Sequence, residues 1–507
     1  MRAQTDLHSS HVDGPFCTAT IKNVEEVFSF LGPKDACFIS QHNKARIPIG
    51  ITAANKQAPI LMHMEYRVSL PDHGWVIAAK HKLIPSVCAG IAIKPDGLGK
   101  SDAVSFSDPT YVAIRYGKHS SSTAYAHGLD FERLLTLPEF DSITKDPFTK
   151  LVKPVVVFSV DGRPDENPRY AKVIKTAIHY FLTNDLDALF IMTNAPGRSA
   201  FNRSERRMAP LSKEFAGLIL PHDRYGPHLD YKGRTVDLLL EKKNFEFAGK
   251  SCASVFSGLM IDQFPTVAEY IDPDKKTELD VHHLLSKDQD WFASHVRTIQ
   301  YFTQIVKCED PRCCALKRSS YFHVIPGRFL PPPTLISQSE DGLKAVSISD
   351  IASNNRFPSV FFLIASNIQS TIPRSLKSFK PPPYDLFCPS VQSSLSQKIC
   401  KHCNLYFASQ VMLKKHVNFT HSNVINRMTI TVLQVRPVRI AAKRKRELMA
   451  VVAVEENAAF AEWFDEDEIE TEGLHIPNDS TVSDEPDCSF PIISIDDHLK
   501  NPWIDDE

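Results

Sequence analysis

The sequence predicts an α/β fold, a mixed sheet flanked by helices, followed by a helical region, a small ββα metal module and a disordered acidic C-terminal tail. Three observations lead there. Short runs rich in β-branched and aromatic residues alternate with helical patterns in the front half. Cysteines and histidines stand at metal-ligand spacing further on, and the acidic residues collect at the end of the chain. With 507 residues, 43% of them hydrophobic, the chain is long enough for two to four domains and a substantial core.

The elements follow in order. Residues 1–30 form an N-terminal extension, and an α/β core is expected over 31–235. Strand-like runs occur at 35–40, 59–68, 74–79, 111–116, 155–160 and 187–192. A helix is expected from Asn167 as N-cap with Pro168 in its first turn. Tyr170, Val173, Ile174, Ala177, Ile178, Phe181 and Leu182 give it an apolar stripe at helical spacing. Residues 236–330 read as a helical, cysteine-bearing region. Within it Trp291, His295, Ile299, Phe302 and Ile305 suggest one helix over 288–307. Prolines at 331–333 and 381–383 mark a linker region over 331–395.

Over 396–424 the ligand spacing is Cys400-x2-Cys403-x12-His416-x4-His421. Two thiolates on a hairpin knuckle and two imidazoles on a helix can close a tetrahedral Zn2+ site, so a structural Cys2His2 zinc finger is expected. Phe407 and Leu413 are its apolar core positions, and Lys414 and Lys415 face outward. The helix positions that ordinarily face bases fall on Ser409, Met412 and Lys415, which makes Ser409, Lys414 and Lys415 candidate DNA contacts of weak sequence selectivity. Folding a domain or binding protein are alternatives for so short a module. Cys308, Cys313 and Cys314 are candidates for a second zinc site, completed by Cys388 or a nearby histidine; buried thiols are the alternative.

Charge is segregated. Residues 455–507 hold 18 acidic residues and one basic, leaving 42 acidic against 57 basic in the rest of the chain. A basic body fits a polyanionic partner such as DNA, and the tail reads as disordered and self-repelling, a candidate surface for protein partners. The basic segment 425–454 contains Lys443, Arg444, Lys445 and Arg446, which fit a phosphate backbone or nuclear import, and a nuclear location is expected. No run reaches the roughly 18 apolar residues of a membrane span, and the first ten residues lack an apolar signal core, so no membrane partner is expected. Eleven cysteines, an odd number with several close together, fit metal ligation and free thiols in a reducing compartment.

Carboxylates carry the remaining chemistry. The apolar run 155–160 ends on Asp161, and Glu205 opens a helix-like stretch beyond the next strand. Acids so placed can share divalent cations at a sheet edge. The stretches Ser40-Gln-His-Asn-Lys-Ala-Arg-Ile-Pro-Ile-Gly50, 161–169 and Phe201-Asn-Arg-Ser-Glu-Arg-Arg-Met-Ala-Pro-Leu-Ser212 resemble the DDE transposases of ribonuclease H-like fold. The resemblance covers roughly residues 30–235 and does not include the helix-turn-helix region that such proteins carry ahead of their core.

That resemblance implies a ribonuclease H-like sheet, with Asp161 as second catalytic aspartate and Glu205 as closing glutamate. It also implies Mg2+ wherever catalysis is retained. The first aspartate is replaced: His42-Asn43 stands where the pattern has two aspartates. A neutral amide and an imidazole are poor ligands for Mg2+. The expectation is a transposon-derived protein that keeps the fold and binds DNA without strand transfer. Two alternatives stay open: a metal-dependent nuclease using Asp161, Glu205 and a third ligand not identified, and a zinc-folded scaffold for protein partners.

Overall fold

The computed structural model describes residues 11–43, 46–50, 77–78, 80–120, 122–198, 201–215, 218–281, 289–339, 342–346, 355–369 and 383–421. The expected strand at 59–68, most of that at 74–79, the basic cluster Lys443 to Arg446 and the acidic tail lie outside these residues. In chain order the first elements are α1 (Gly14–Asp35), β1 (Ala36–Asn43), β2 (Ile47–Pro48), β3 (Lys82–Ile91), β4 (Thr110–Tyr116), α2 (Ala124–Leu134), α3 (Asp141–Thr144), β5 (Val155–Val160), α4 (Ala171–Thr183), β6 (Ala188–Thr193) and α5 (Glu205–Lys213). Next come α6 (Leu238–Ser257), β7 (Met260–Ile261), β8 (Phe264–Tyr270), α7 (Gln289–His295), β9 (Val296–Ile299) and β10 (Phe302–Val306). The last are α8 (Tyr321–Val324), β11 (Ile336–Ser339), β12 (Gly342–Ala345), α9 (Val360–Gln369), α10 (Pro389–Gln392) and α11 (Gln410–His416).

A ten-stranded mixed sheet runs in the order β7-β8-β4-β3-β1-β5-β6-β10-β9, with β2 pairing on β3. Strands β4, β3 and β1 are antiparallel neighbours, whereas β1, β5 and β6 are parallel. The parallel trio is buried along its whole length, which is why 155–160 reads as an unbroken apolar run: both faces are covered. Alternation then sorts the side chains. Cys37, Ile39, Val156, Phe158, Val160, Leu189 and Ile191 face the helices α2 and α4. Phe38, Val155, Val157, Phe190 and Met192 face α1 on the other side. There Phe28 of α1 meets Phe38 and Phe190 edge-on, each at 6.0 Å between ring centroids. Gly32, at φ 71°, and Pro33 break the helix before the chain enters β1. A third cluster packs α5 and α6 against β3 and β4 through Leu211, Phe245, Cys252 and Phe256.

Two expectations are corrected. The helix after the carboxylate loop begins at Ala171, not at Asn167. Asn167 instead donates to the Gly162 carbonyl and accepts from the Arg169 N–H, so its side chain closes the loop and is not available to cap. The stretch 288–307 is not one helix. It is the short helix α7 followed by the hairpin β9–β10, in which Ile299 pairs with Phe302 across a two-residue turn. Val296, Thr298, Ile299, Thr303, Ile305 and Val306 are β-branched, and that preference outweighed an apolar spacing compatible with either period. The region 236–330 thus adds strands to both edges of the sheet.

Candidate functional site

The parallel register of β1 and β5 sets Ser40 beside Ser159, so two residues further on His42 and Asp161 lie side by side at the strand ends. Glu205 arrives from beyond β6. Its loop is held because Asn202 donates to the Gln41 carbonyl and accepts from Ser40, whose oxygen in turn accepts from the Ser204 N–H. Arg203 and Arg207 of the same motif are buried. Arg203 donates to the Val104 and Ser105 carbonyls and pairs with Glu25; Arg207 donates to the Phe106 and Asp108 carbonyls and pairs with Asp262. These arginines staple the loop to the body and do not face a ligand.

At the centre of the site an imidazole stands between the two acids. His42 Nε2 is 3.0 Å from Glu205 Oε1, and Nδ1 is 3.2 Å from Asp161 Oδ2, the latter off the line of a hydrogen bond. Burial disfavours a charged ring here. The bond to Glu205 and the charges of Glu166, Asp161 and Glu205 outweigh it and hold the His42 pKa above its ordinary value. Asn43 is turned away: it donates to Asp165 at 2.7 Å and accepts from Ser86 and Ser122. Neither residue leaves a free oxygen for a hard cation. The donor set does not fit a pair of divalent metal ions, which need several free carboxylate or carbonyl oxygens.

A second polar layer lies beneath. Gln41 and the Asp161 N–H donate to Glu166, whose carboxyl burial, with Asp165 beside it, pushes up to about 7. His127 sits between Asp130 and Asp165, and Arg115 holds Asp130. Burial opposes protonation of His127, yet Asp130, Asp165 and Glu166 push its pKa up to about 9. Ser122 Oγ is 3.0 Å from His127 Nε2, giving the outline of a serine–histidine–aspartate triad. The ring, however, is already protonated at neutral pH and has no lone pair to take the serine proton.

The expected finger ligands come together. Cys400, Cys403, His416 and His421 place one donor atom each within 4.8 Å of one another, and they can hold a metal ion. The knuckle is a hairpin bridged at Ile399 and Tyr406, with Asn404 at φ 57° in its turn. Histidines five apart diverge on an α-helix; here residues 417–421 wind as a π-helix and bring the rings to 5.0 Å. Phe407 is buried against His416, whereas Leu413 is only half-buried. The module leans on the sheet edge: the Ala408 N–H donates to Thr298 of β9, Tyr406 donates to Asp385, and α7 packs against the 417–421 turn. Of the candidate DNA contacts, Ser409 precedes α11 without capping it, Lys414 is exposed, and Lys415 is half-buried where its charge reaches Lys175 of α4.

Cys308, Cys313 and Cys314 also converge, but their fourth member is His295 and not Cys388. Cys388 is buried in a separate apolar cluster with Phe16 and Val391, beside Ser390. A third group, His81, His228 and Glu241, is fully buried. There Asn244 donates to the Gly226 carbonyl and to His228 Nδ1. Burial keeps the His228 pKa below its ordinary value, so the neutral ring carries its proton on Nε2, 2.8 Å from His81 Nε2. Those two nitrogens share a hydrogen bond, and the group reads as a polar anchor.

The sequence singles out Asp161, Glu205 and the cluster of Cys400, Cys403, His416 and His421, offers a nearby histidine beside the other cysteines without fixing it as His295, and gives no sign of the layer of His127, Asp165 and Glu166. Compared with known proteins, the chain matches no family model, no curated protein and no solved structure. Among the described residues no helix is long and apolar enough to cross a membrane.

Proposed function

We propose that this chain is a transposase-derived, zinc-binding nuclear protein that binds DNA and does not catalyse strand transfer. The observation that carries the reading is His42 lodged between Asp161 and Glu205. A ring held against both acids fills the space between them and offers no oxygen ligand, where a phosphoryl-transfer site needs metal ions. The strand order supports a ribonuclease H-like core: three antiparallel strands, β4, β3 and β1, continue into the parallel β5 and β6. Acids at the end of β5 and the start of α5, both beside His42, support the same reading. A nuclease reading would need a third carboxylate, and the neighbouring Asp165 and Glu166 are already engaged by His127, Asn43 and Gln41.

Zn2+ in the finger would be held by Cys400, Cys403, His416 and His421, and would fix the knuckle to α11. DNA contact would rest on Lys414, Lys415 and the Lys443 to Arg446 cluster, through phosphates more than bases. The same cluster supports nuclear entry. The test uses purified full-length protein in two assays. DNA affinity should fall steeply as salt rises, and a supercoiled plasmid should stay intact in Mg2+ or Mn2+. Nicking that is lost in Asp161→Ala would overturn the non-catalytic reading, and salt-independent binding would overturn DNA as the partner.

A further inference from the structure

The loop after β10 and the end of α7 bring together a second cluster of cysteine and histidine side chains, separate in ligands from the finger. His295 Nδ1 lies 2.7 Å from the Trp291 carbonyl, and a carbonyl only accepts, so Nδ1 carries the proton. The lone pair of Nε2 is therefore turned outward, 3.3 Å from Cys314 Sγ and 3.6 Å from Cys313 Sγ. The ring is fixed further by stacking on Trp291, at 4.3 Å between centroids and 11° between planes. A hydrogen-bonded, packed imidazole is how metal-binding histidines are oriented.

The sulfurs are placed just as specifically. The turn at Asp310, whose carbonyl accepts from the N–H groups of Cys313 and Cys314, brings both back toward Cys308. Cys308 Sγ and Cys314 Sγ are 3.6 Å apart, far outside disulfide length. Tetrahedral zinc, with bonds of about 2.3 Å to sulfur and about 2.0 Å to nitrogen, sets two sulfurs about 3.8 Å apart and a sulfur and nitrogen about 3.5 Å apart. Three edges, at 3.3, 3.6 and 3.6 Å, lie within a few tenths of an ångström of those values, and all four donor atoms lie within 4.8 Å of one another. Three thiols and an oriented imidazole at these separations are the corners of one coordination sphere.

We propose that His295, Cys308, Cys313 and Cys314 bind a structural Zn2+. Four protein ligands close the site, so it holds the fold and carries no chemistry. It ties the exit of the β9–β10 hairpin to the end of α7, the helix against which the finger's 417–421 turn packs. The second ion therefore steadies the surface on which the finger rests.

The test is metal content of the full-length protein, purified under reducing conditions with zinc. Two zinc ions per chain are expected. Cys313→Ser, at an exposed position, should halve the content, and so should Cys403→Ser, the two together leaving none. That pairing separates failure of this centre from failure of the finger. Cobalt(II) substitution of the unmutated protein gives a check that needs no variant: sulfur-to-cobalt absorption should match five thiolates per chain, not two. One zinc per chain unchanged by Cys313→Ser, with two-thiolate absorption, would overturn the proposal. So would a Cys308–Cys314 disulfide in protein prepared under those reducing conditions.

Discussion

Replacing His42 by aspartate should convert a site closed by its own imidazole, whose protonated form the neighbouring acids favour, into one that depends on an added ion. In the natural protein the imidazole lies 3.2 Å from Asp161 and 3.0 Å from Glu205. Opposite unit charges about 4 Å apart attract by about 4 kcal/mol at an effective dielectric of about 20. Asp161 and Glu205 keep 16% and 29% of their side-chain surface in solvent, which screens part of this. Removing one partner of a buried pair costs about 3–5 kcal/mol, so a loss near the lower end, about 3 kcal/mol, is expected. The new carboxylate adds repulsion. In chelator, His42→Asp should melt several degrees below the natural protein, since about 1 kcal/mol moves Tm by roughly 2–4 °C in domains of 150–250 residues and less in longer ones.

Divalent cation should then reverse the loss. An ion at about 100 times its Kd returns about 2.7 kcal/mol to the state that binds it. The assay is thermal unfolding of the natural protein, His42→Asp and the His42→Asp/Asn43→Asp pair, each with chelator or millimolar Mn2+. The variants should regain several degrees with Mn2+ and the natural protein should not move. A natural protein that gains as much as the variants, or a His42→Asp chain as stable in chelator as its parent, would refute the reasoning.

Three further outcomes are expected. Protonated His127 stabilises the fold: its pKa rises from 6.5 to about 9 on folding, so its contribution is complete below about pH 6.5 and is lost as pH climbs through 9. Tm should fall across that window, and His127→Gln should flatten the fall. Phe28→Ala, which empties the space between Phe38 and Phe190, should cost about 3–5 kcal/mol in urea unfolding at an unchanged m value. Cys400→Ser should release the finger's zinc and open the chain around 400–421 to protease while β5 and β6 stay protected, because the apolar cores around those strands do not contain the finger.

Much of this arrangement was legible in the chain itself, where the signal was local. The apolar run 155–160, the apolar run ending at Met192 and the stripe of α4 mark a buried strand, a second strand and an amphipathic helix without reference to anything distant. Cys400, Cys403, His416 and His421 announce a metal site because the ligands of so small a module must be close in sequence. Local signals also misled. Residues 288–307 carried apolar spacing that suits a helix and β-branched content that suits strands, and pairing with β6 decided for strands. Pro85 helped to hide β3, which is nonetheless central in the sheet between β1 and β4.

The sequence by itself determined which residue types are available: which acids stand at strand and helix ends, that His42-Asn43 ends the run 35–43, and that three cysteines lie near one another. Tertiary structure alone decided what they do together. The β1–β5 register and the loop stapled by Asn202 bring His42, Asp161 and Glu205 to one point, so an imidazole stands between two acids that are far apart in the chain. It also chose His295 over Cys388 as companion to the cysteines, because the β9–β10 hairpin folds the end of α7 onto the loop after β10 while Cys388 is sealed in apolar packing. Charges and ligands act over a few ångströms, and separation along the chain says nothing about that distance until the backbone has closed.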